Sequence, residues 1–188
     1  IAPPRPPWRL LRASPLEVLP SAGEVAHFGV GRTATVLLVD IGGRWQLRAN
    51  GLPEAVIQRR GGRPTPHRGA AWLGVLPALA RPDARSMLLI GLGGGVALES
   101  VPPTLEQIDV VELEPEVIAA NRAIADERRR DPLSDPRVRL TSNDARSALL
   151  LTERRYDAIV SQPSHPWTAG SAQLFTTEFL ELVHRRLE

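Results

Sequence analysis

An apolar run that ends in a glycine-rich turn limits the folds open to this chain more than any other pattern in it. Residues 88–90 are Leu-Leu-Ile, residues 91–95 are Gly-Leu-Gly-Gly-Gly, and the next apolar run ends at Glu112. In a parallel α/β sheet, such a turn lets the backbone approach a ligand closely, and an acid that ends the neighbouring strand can accept hydrogen bonds from ribose hydroxyls. The pattern predicts a binding site for a nucleoside-bearing cofactor.

The glycine spacing alone does not identify that cofactor. Gly91, Gly93 and Gly95 follow a G-x-G-x-G pattern, whereas the dinucleotide fingerprint needs its third glycine one position later. A tight strand-to-helix connection is the structural alternative. Glu112 favours a cofactor site, because a carboxylate can accept hydrogen bonds from both ribose hydroxyls, and Glu114 is a competing candidate for that role.

A third acid, Asp144, follows the next predicted strand. In a doubly wound sheet its loop lies beside the first two loops, where an acid can accept a hydrogen bond from an adenine amino group. Asp is also a common N-cap residue of helices, and the two roles are compatible.

Alternating predicted strands and helices place the second part of the chain in the α/β class, as a doubly wound parallel sheet. In the helix predicted at residues 115–128, Val117, Ala120 and Ile124 form the stripe expected to be buried, and the basic run 128–130 is expected to be a solvated helix end. The predicted strands are residues 86–90, 107–112, 138–141 and 156–161, and the last helix is expected to bury a face with Phe175, Phe179, Leu182 and Val183.

The first part of the chain has a different character. Residues 33–40, 45–49 and 55–58 predict a small antiparallel β-hairpin unit with a tight turn at Asn50-Gly51. Six prolines within residues 1–20 predict an extended arm or linker. The chain is therefore divided into an arm (1–20), a β-hairpin domain (21–65) and a cofactor-binding α/β domain (66–188).

Composition excludes several kinds of chemistry. All 23 basic residues are Arg, so Schiff-base and P-loop lysines are excluded, and the lack of Cys excludes disulfides, thiolate metal ligands and Cys nucleophiles. No metal site is predicted. The 21 acids are scattered among the basic residues, which argues against nucleic acid as a partner. No apolar run approaches the ~20 residues of a membrane span.

The chain begins with Ile1 rather than Met, and four parallel strands are fewer than an open sheet usually has. We therefore expect a piece of a longer protein, with a C-terminally truncated α/β domain. A cytoplasmic location is expected, and a fusion to a membrane segment outside this chain stays open.

The order of six sequence blocks resembles the spermidine synthase (polyamine aminopropyltransferase) family, over about residues 26–187. The likeness is to a divergent bacterial branch often fused behind membrane-transporter segments. It implies an N-terminal β-hairpin domain, a methyltransferase-like Rossmann fold, and aminopropyl transfer from decarboxylated S-adenosylmethionine to a diamine. The blocks are LLIGLGGG (88–95), VVELEPEVI (110–118), DPRVRL (135–140), NDAR (143–146), RYDAIVSQPSHPW (155–167) and AQLFTTEFLELV (172–183).

The resemblance also assigns the nucleoside half of a site, residue by residue. It implies a cofactor turn at the three glycines, a ribose ligand at Glu112, and an adenine-contacting pair at Asp144 and Ala145. No metal is implied.

The acceptor half departs from the family pattern Asp-Ser-Ser-Asp-Pro. Gln162 stands at the position of the family's base, and His165 at that of the second acid. An amide cannot take a proton near neutral pH, so Gln162 cannot act as the base. The imidazole of His165 has an ordinary pKa suitable for a general base. Alternatively, His165 is a loop residue that packs beside Pro166 and Trp167. The family's acid within the glycine turn is replaced by Gly94.

The segment before the first Rossmann strand departs as well. Residues 50–76 hold one His (His67) and one acid (Glu54), without the family's Tyr, and add Arg59, Arg60, Arg63 and Arg68. Burying a dicationic diamine without carboxylate partners is costly, which disfavours putrescine. Trp167 and the region of Gly170 form either a lid over the cofactor or ordinary loop packing.

Three hypotheses of function follow. The leading one is a spermidine synthase-like transferase that binds decarboxylated S-adenosylmethionine or S-adenosylmethionine and passes a group to a small-molecule amine or other acceptor. The alternatives are an S-adenosylmethionine-dependent methyltransferase, weakly favoured by Gly94, and a non-catalytic nucleoside-binding or regulatory domain. A homodimer is left open.

Overall fold

The computed structural model describes residues 6–14, 23–62, 69–161, 165–166 and 171–188. Two four-stranded sheets form its frame, an antiparallel sheet followed along the chain by a parallel sheet. This is the α/β arrangement, with a β-hairpin unit ahead of a doubly wound sheet, that the sequence predicts.

The antiparallel sheet is a meander of consecutive strands. Its turns contain Gly42 and Gly43, with φ of +59° and +84°, and Asn50 and Gly51, with φ of +51° and +81°. Such left-handed pairs are what tight two-residue hairpin turns need, and the predicted turn at Asn50-Gly51 is confirmed. The first strand was missed, because its residues are all half-buried or exposed and show no clear apolar alternation. The strands are β1 (Glu24–Val30), β2 (Thr35–Asp40), β3 (Arg44–Ala49) and β4 (Leu52–Gln58).

Part of the predicted arm is helical rather than extended. Helix α1 (Trp8–Arg12) follows Pro6 and Pro7, and the Trp8 ring meets the Phe28 ring of β1 edge-to-face, with centroids 5.1 Å apart. Aromatic contacts of this kind stabilise by about 0.5–1.5 kcal/mol beyond the area that they bury. The expectation of an extended arm is therefore wrong for these residues, because an aromatic side chain docks the segment on the sheet.

The parallel sheet has the strand order β7-β6-β5-β8. Met87, Leu89 and Val110 are fully buried in it, as expected for strands covered on both faces. The predicted strand at residues 156–161 begins later, because Tyr156 instead forms an isolated bridge to Leu187. The strands are β5 (Ser86–Ile90), β6 (Gln107–Glu112), β7 (Val138–Ser142) and β8 (Ala158–Ser161).

The helices follow the sequence prediction with two differences. Helix α4 ends at Ala123 rather than near residue 128, although its predicted stripe is buried. Phe175 precedes the last helix and is 51% exposed, so it does not share that helix's buried face. No helix within the described ranges is long and apolar enough to cross a membrane. The helices are α2 (Gly69–Ala80), α3 (Val96–Glu99), α4 (Pro115–Ala123), α5 (Ala145–Leu151) and α6 (Thr177–His184), with 3₁₀ turns at Pro132–Ser134 and Ala172–Phe175.

The basic run after α4 is not a solvated helix end as predicted. The Arg128 side chain is 0% exposed, and its guanidinium forms hydrogen bonds with Glu99 and Asn121. Arg129 and Arg130 remain about half exposed. The prediction fails for Arg128 because a buried acid and a buried amide satisfy its donors.

One carboxylate ties the two sheets together. Glu114, which begins α4, accepts hydrogen bonds from the backbone N–H groups of Arg32, Thr33 and Ala34, at 3.2, 2.9 and 3.1 Å. Burial opposes its ionisation, but these backbone donors lower the pKa of Glu114. Glu114 therefore anchors the β1–β2 turn to the parallel sheet.

Two glycines leave room for this contact. A Cβ atom at Gly31 would lie 1.7 Å from Oε1 of Glu114, and one at Gly29 would lie 1.7 Å from Oε2 of Glu116. Glu116 in turn bonds Nε2 of His27 at 3.0 Å. The absence of side chains at these two positions is what lets the antiparallel sheet approach α4.

Gly31→Ala is expected to lower the free energy of unfolding by about 1–3 kcal/mol, because its methyl group displaces the Glu114 carboxylate from its backbone donors. Gly69→Ala is the matched control, since a Cβ atom there meets nothing within 4 Å. Urea denaturation of both variants measures the difference. Equal stability of the two variants would show that Glu114 is not an anchor.

Candidate functional site

The glycine turn wraps its backbone around the carboxylate of Glu112. Gly91 and Gly93 have φ of +89° and +51°, in the left-handed region that glycine adopts without a steric penalty. The N–H groups of Leu92 and Gly93 donate to Oε2 of Glu112, at 2.8 and 3.4 Å. The turn after β5 and the end of β6 are therefore joined by one acid.

Glu112 is 7% exposed, and its other oxygen, Oε1, accepts from the N–H of Glu114 at 2.9 Å. Burial raises the pKa of Glu112, and the backbone hydrogen bonds partly oppose that effect. A carboxylate has about four lone-pair sites and three of them accept these backbone N–H groups, so one site remains for a hydroxyl donor.

A cavity of about 360 Å³ opens between the two sheets at this point. Its volume is in the range of small-molecule sites. From the parallel sheet it is lined by Gly91, Gly93, Glu112, Asp144 and Ala145, together with His165. The opposite wall comes from the antiparallel sheet and includes Thr33, Ala34, Asn50 and Glu54.

One of the predicted site residues, Gly95, is not part of this lining. Gly95, with φ of +72°, is the N-cap of α3, and a Cβ atom there would lie 2.9 Å from Cγ of Pro132. Its position beneath the turn gives it a packing role. Gln162 lies outside the described residues, as do Trp167 and Gly170.

Asp144 lines the cavity and also caps α5. Its Oδ2 accepts from the N–H of Ser147 at 2.8 Å, the geometry of a helix N-cap. The cap uses one of the two carboxylate oxygens, so capping and ligand binding are compatible.

The cavity is acidic. The carboxylates of Glu54, Glu112, Glu114 and Asp144 line it, and its described lining includes no Lys or Arg. Such an acidic wall favours a cationic ligand, because an anionic ligand would lose its hydration in the cavity without gaining a cationic partner.

The arginines that disfavoured a diamine in the sequence analysis need correction at two positions. Arg59 does not line the cavity; its guanidinium pairs with Asp40 at 2.6 Å and with Glu127, and it stacks over the Trp45 ring. Arg60 is exposed and also absent from the lining. His67, Arg63 and Arg68 lie outside the described residues.

Gly94 leaves no room for the acid that the family places there. A Cβ atom at this position would lie 2.6 Å from Cβ of Ala55 and 2.9 Å from Cγ1 of Ile57, both on β4. Any side chain would push the glycine turn away from the antiparallel sheet. The loss of this acid therefore accompanies a close contact between the two sheets.

Sequence reasoning missed the supports of the turn. Asn121 donates to the carbonyl of Gly93, and Arg128 donates to the carbonyl of Gly94, each at 2.8 Å. Neither residue carries a local signal for this role, since both lie on or after α4. Within the described residues, no group of three or more His, Asp or Glu side chains could hold a metal ion.

The raised pKa of Glu112 predicts a specific pH dependence of stability. A carboxyl whose folded-state pKa is above its unfolded value stabilises the fold at low pH and loses that contribution as pH rises through the folded pKa. Relative to Glu112→Gln, the wild type should therefore lose stability as the pH rises above about 4, the ordinary range of a Glu pKa. Denaturation of both proteins at several pH values measures this difference, and a constant difference would contradict the raised pKa.

Comparison with known proteins assigns the family. The family model described as "Spermine/spermidine synthase domain" matches residues 70–188. A polyamine aminopropyltransferase of Synechococcus sp. (strain JA-3-3Ab) is 36% identical over 107 residues, which are 55% of this chain and 34% of the relative. Polyamine aminopropyltransferase 1 of Pseudomonas aeruginosa is 31% identical over 114 residues, 60% of this chain and 40% of the relative. The chain thus spans well under half the length of these relatives.

Solved structures agree on the fold. A spermidine synthase in complex with the transition state analogue AdoDATO has a TM-score of 0.75 at 18% identity, over 87% of this chain and 55% of that one. Spermidine synthase from Thermotoga maritima has a TM-score of 0.71 at 19% identity, over 87% and 54%. With a methyltransferase-like Rossmann domain behind a β-hairpin unit, and with the family model matching more than half of its residues, the chain belongs to the spermine/spermidine synthase domain family.

Proposed function

We propose that the protein transfers an aminopropyl group from decarboxylated S-adenosylmethionine to an amine. The observation that carries this proposal is the acidic cavity at the carboxyl ends of β5, β6 and β7, with Glu112 facing the glycine turn. Membership of the family and the names of the curated relatives support the same reaction.

The nucleoside is expected to bind along the parallel-sheet wall. Gly91 and Gly93 allow the sugar to approach the backbone, and Glu112 accepts a hydrogen bond from a ribose hydroxyl through its remaining lone-pair site. Asp144 and Ala145 meet the adenine, where the carboxylate can accept from the amino group. Gly95 contributes only through the shape of the turn.

The charge of the cavity favours the decarboxylated co-substrate. Decarboxylated S-adenosylmethionine carries a sulfonium and an ammonium and has no carboxylate. S-adenosylmethionine would bring a carboxylate toward Glu54 and Glu112, where the described lining offers no Lys or Arg to receive it. We infer that Glu54, on the antiparallel sheet, attracts the cationic end of the bound molecule.

The transfer itself needs alignment more than acid–base power. The lone pair of a neutral acceptor amine attacks the methylene carbon by which the aminopropyl group is bonded to the sulfonium sulfur, forming a C–N bond. The C–S bond breaks, its electron pair returns to sulfur, and neutral methylthioadenosine leaves. The new ammonium then releases a proton. Since the sulfonium is already a good leaving group, holding the two reactants in line supplies much of the rate.

His165 lines the cavity and is our candidate for the proton acceptor. Gln162 is proposed to orient the amine, because an amide accepts and donates hydrogen bonds without taking a proton. With Glu54 in the cavity and Arg59 outside it, a diamine whose second, non-attacking amino group is cationic is a better acceptor than the sequence alone indicated.

The absence of an acid at Gly94 favours one other activity, methyl transfer from S-adenosylmethionine. Calorimetry of the full-length protein with methylthioadenosine, decarboxylated S-adenosylmethionine and S-adenosylmethionine separates the two. Aminopropyl transfer predicts tighter binding of the decarboxylated form. Tighter binding of S-adenosylmethionine would favour methyl transfer, binding without any transfer product would favour a regulatory domain, and no binding by any of the three would overturn all of these functions.

Glu54→Gln is expected to weaken binding of decarboxylated S-adenosylmethionine about tenfold, the usual effect of losing a charged partner, and to leave methylthioadenosine binding unchanged. The neutral product serves as internal control because it lacks the ammonium. Glu153→Gln, at an exposed acid outside the cavity, is the control variant. Equal losses for both ligands would remove Glu54 from recognition of the cationic end.

Substitution of the two acceptor-side residues tests their roles in transfer. His165→Ala is expected to lower kcat, because the variant lacks the proton acceptor, while Gln162→Ala should mainly raise KM for the amine. Mass spectrometry of products formed with putrescine measures the rates. Full activity of the double variant would show that neither residue is an essential base.

A further inference from the structure

A buried hydrogen-bond network lies beneath the glycine turn, on the side away from Glu112. We propose that Arg128 and Asn121 are positioning residues that hold this turn in the conformation that receives the nucleoside. The inference rests on the proposed function for its ligand, but its structural part concerns the turn itself.

Arg128 is the centre of the network. Its Nε and Nη2 donate to Oε1 of Glu99 at 3.1 and 2.6 Å, and its Nη1 donates to Oδ1 of Asn121 at 2.8 Å. Nη2 also donates to the carbonyl of Gly94 at 2.8 Å. One planar guanidinium thus joins α3, α4 and the glycine turn, and a single ammonium could not reach all three in this geometry.

Asn121 holds the peptide unit that directly precedes the one held by Arg128. Its Nδ2 donates to the carbonyl of Gly93 and to that of Val117, each at 2.8 Å. Two successive carbonyls of the turn are therefore held from below, by Asn121 and by Arg128. Because a peptide unit is planar, these bonds also fix the N–H groups of Gly94 and Gly95, which directly follow the peptide units held by Glu112.

The other side of the turn is held by Glu112, which accepts from the N–H groups of Leu92 and Gly93. The backbone of the turn is thus fixed through carbonyls on one side and N–H groups on the other. A segment with several glycines has high conformational freedom when unrestrained, so these contacts remove the entropy that ligand binding would otherwise have to remove.

Gly95 makes the network sterically feasible. A Cβ atom at this position would lie 3.1 Å from Nη2 of Arg128 and 3.3 Å from Oδ1 of Asn121. The third glycine of the turn is therefore explained by the guanidinium beneath it. This gives the glycine a role that requires no contact with the ligand.

The network also touches the antiparallel sheet. The N–H of Arg129 donates to the carbonyl of Gln58 at 3.0 Å, and the N–H of Arg60 donates to the carbonyl of Glu127 at 2.8 Å. The residues around Arg128 therefore connect the glycine turn with the end of β4, whose other residues form part of the opposite cavity wall.

A buried ion pair contributes little net stability compared with well-packed apolar residues, because both charges lose their hydration. The Arg128–Glu99 pair is therefore better explained by the conformation that it imposes than by the stability that it adds. A positioning role predicts effects on the turn and on ligand affinity that exceed any effect on unfolding.

The test compares Arg128→Lys and Asn121→Ala with the control Arg137→Lys. Arg137 is a matched arginine, since it pairs with Asp135 and donates to the carbonyls of Pro102 and Leu105 rather than to carbonyls of the turn. Hydrogen exchange in the ligand-free protein reports on the Leu92 and Gly93 amides, and calorimetry reports on methylthioadenosine affinity.

We expect both network variants to exchange the Leu92 and Gly93 amides about tenfold faster and to bind methylthioadenosine about tenfold more weakly, the effect of one lost hydrogen bond to a charged or buried group. The control should show neither change, even where its unfolding temperature falls equally. Unchanged exchange in the network variants overturns the proposal.

The design separates this inference from the proposed function. If the wild type binds no methylthioadenosine, the proposed function fails, while the exchange rates still decide the positioning role. If Arg128→Lys does not fold, Asn121→Ala decides alone, because it leaves the Arg128–Glu99 pair in place. Weaker binding by the control to the same extent would reduce the role of the network to general stability and overturn the proposal.

Discussion

The hydrogen bonds between Glu112 and the backbone of the glycine turn are the contact on which the candidate site depends. They join the ends of two adjacent parallel strands through one carboxylate, whose burial raises its pKa and whose backbone donors oppose that shift. The acid is therefore held in place before any ligand arrives. Donors and acceptors fixed in this way need no reorganisation when a substrate binds, which is the general advantage of a preorganised polar site.

Composition is a poor guide to the charge of such a site. The chain is rich in arginine, yet the described wall of the cavity is lined by acids and by no arginine. The reason is local pairing: Arg59 is held by Asp40 and Glu127, and Arg137 by Asp135. Arginines that form such ion pairs contribute little to the electrostatic potential inside the cavity. Only the fold decides which charges face the ligand.

The parts of the site that the sequence predicted are those with a local signature. Apolar runs that end in glycine or in an acid mark the carboxyl ends of parallel strands. Because these ends lie at the same edge of a parallel sheet, their proximity follows from the fold class alone. The supports were missed because they join distant parts of the chain. Arg128 and Glu99 are 29 positions apart, and Glu114 and Thr33 are 81 apart, with no periodic pattern to pair them. The buried state of Arg128 follows from packing, which a basic run after a helix cannot reveal.

The two halves of the proposed pocket therefore have different physical origins. The nucleoside half is built by strand ends within one sheet, so its geometry follows from strand pairing. In the proposed function the cationic half depends on Glu54 of the antiparallel sheet, because Gly94 packs too closely against Ala55 to carry an acid of its own. Its geometry then depends on how the two sheets are joined, through Glu114 at the β1–β2 turn and through the backbone beside Arg128 at β4. Recognition of the amine requires the contact between the two sheets, whereas recognition of the nucleoside does not. A change in that contact can therefore alter amine recognition and leave nucleoside recognition intact.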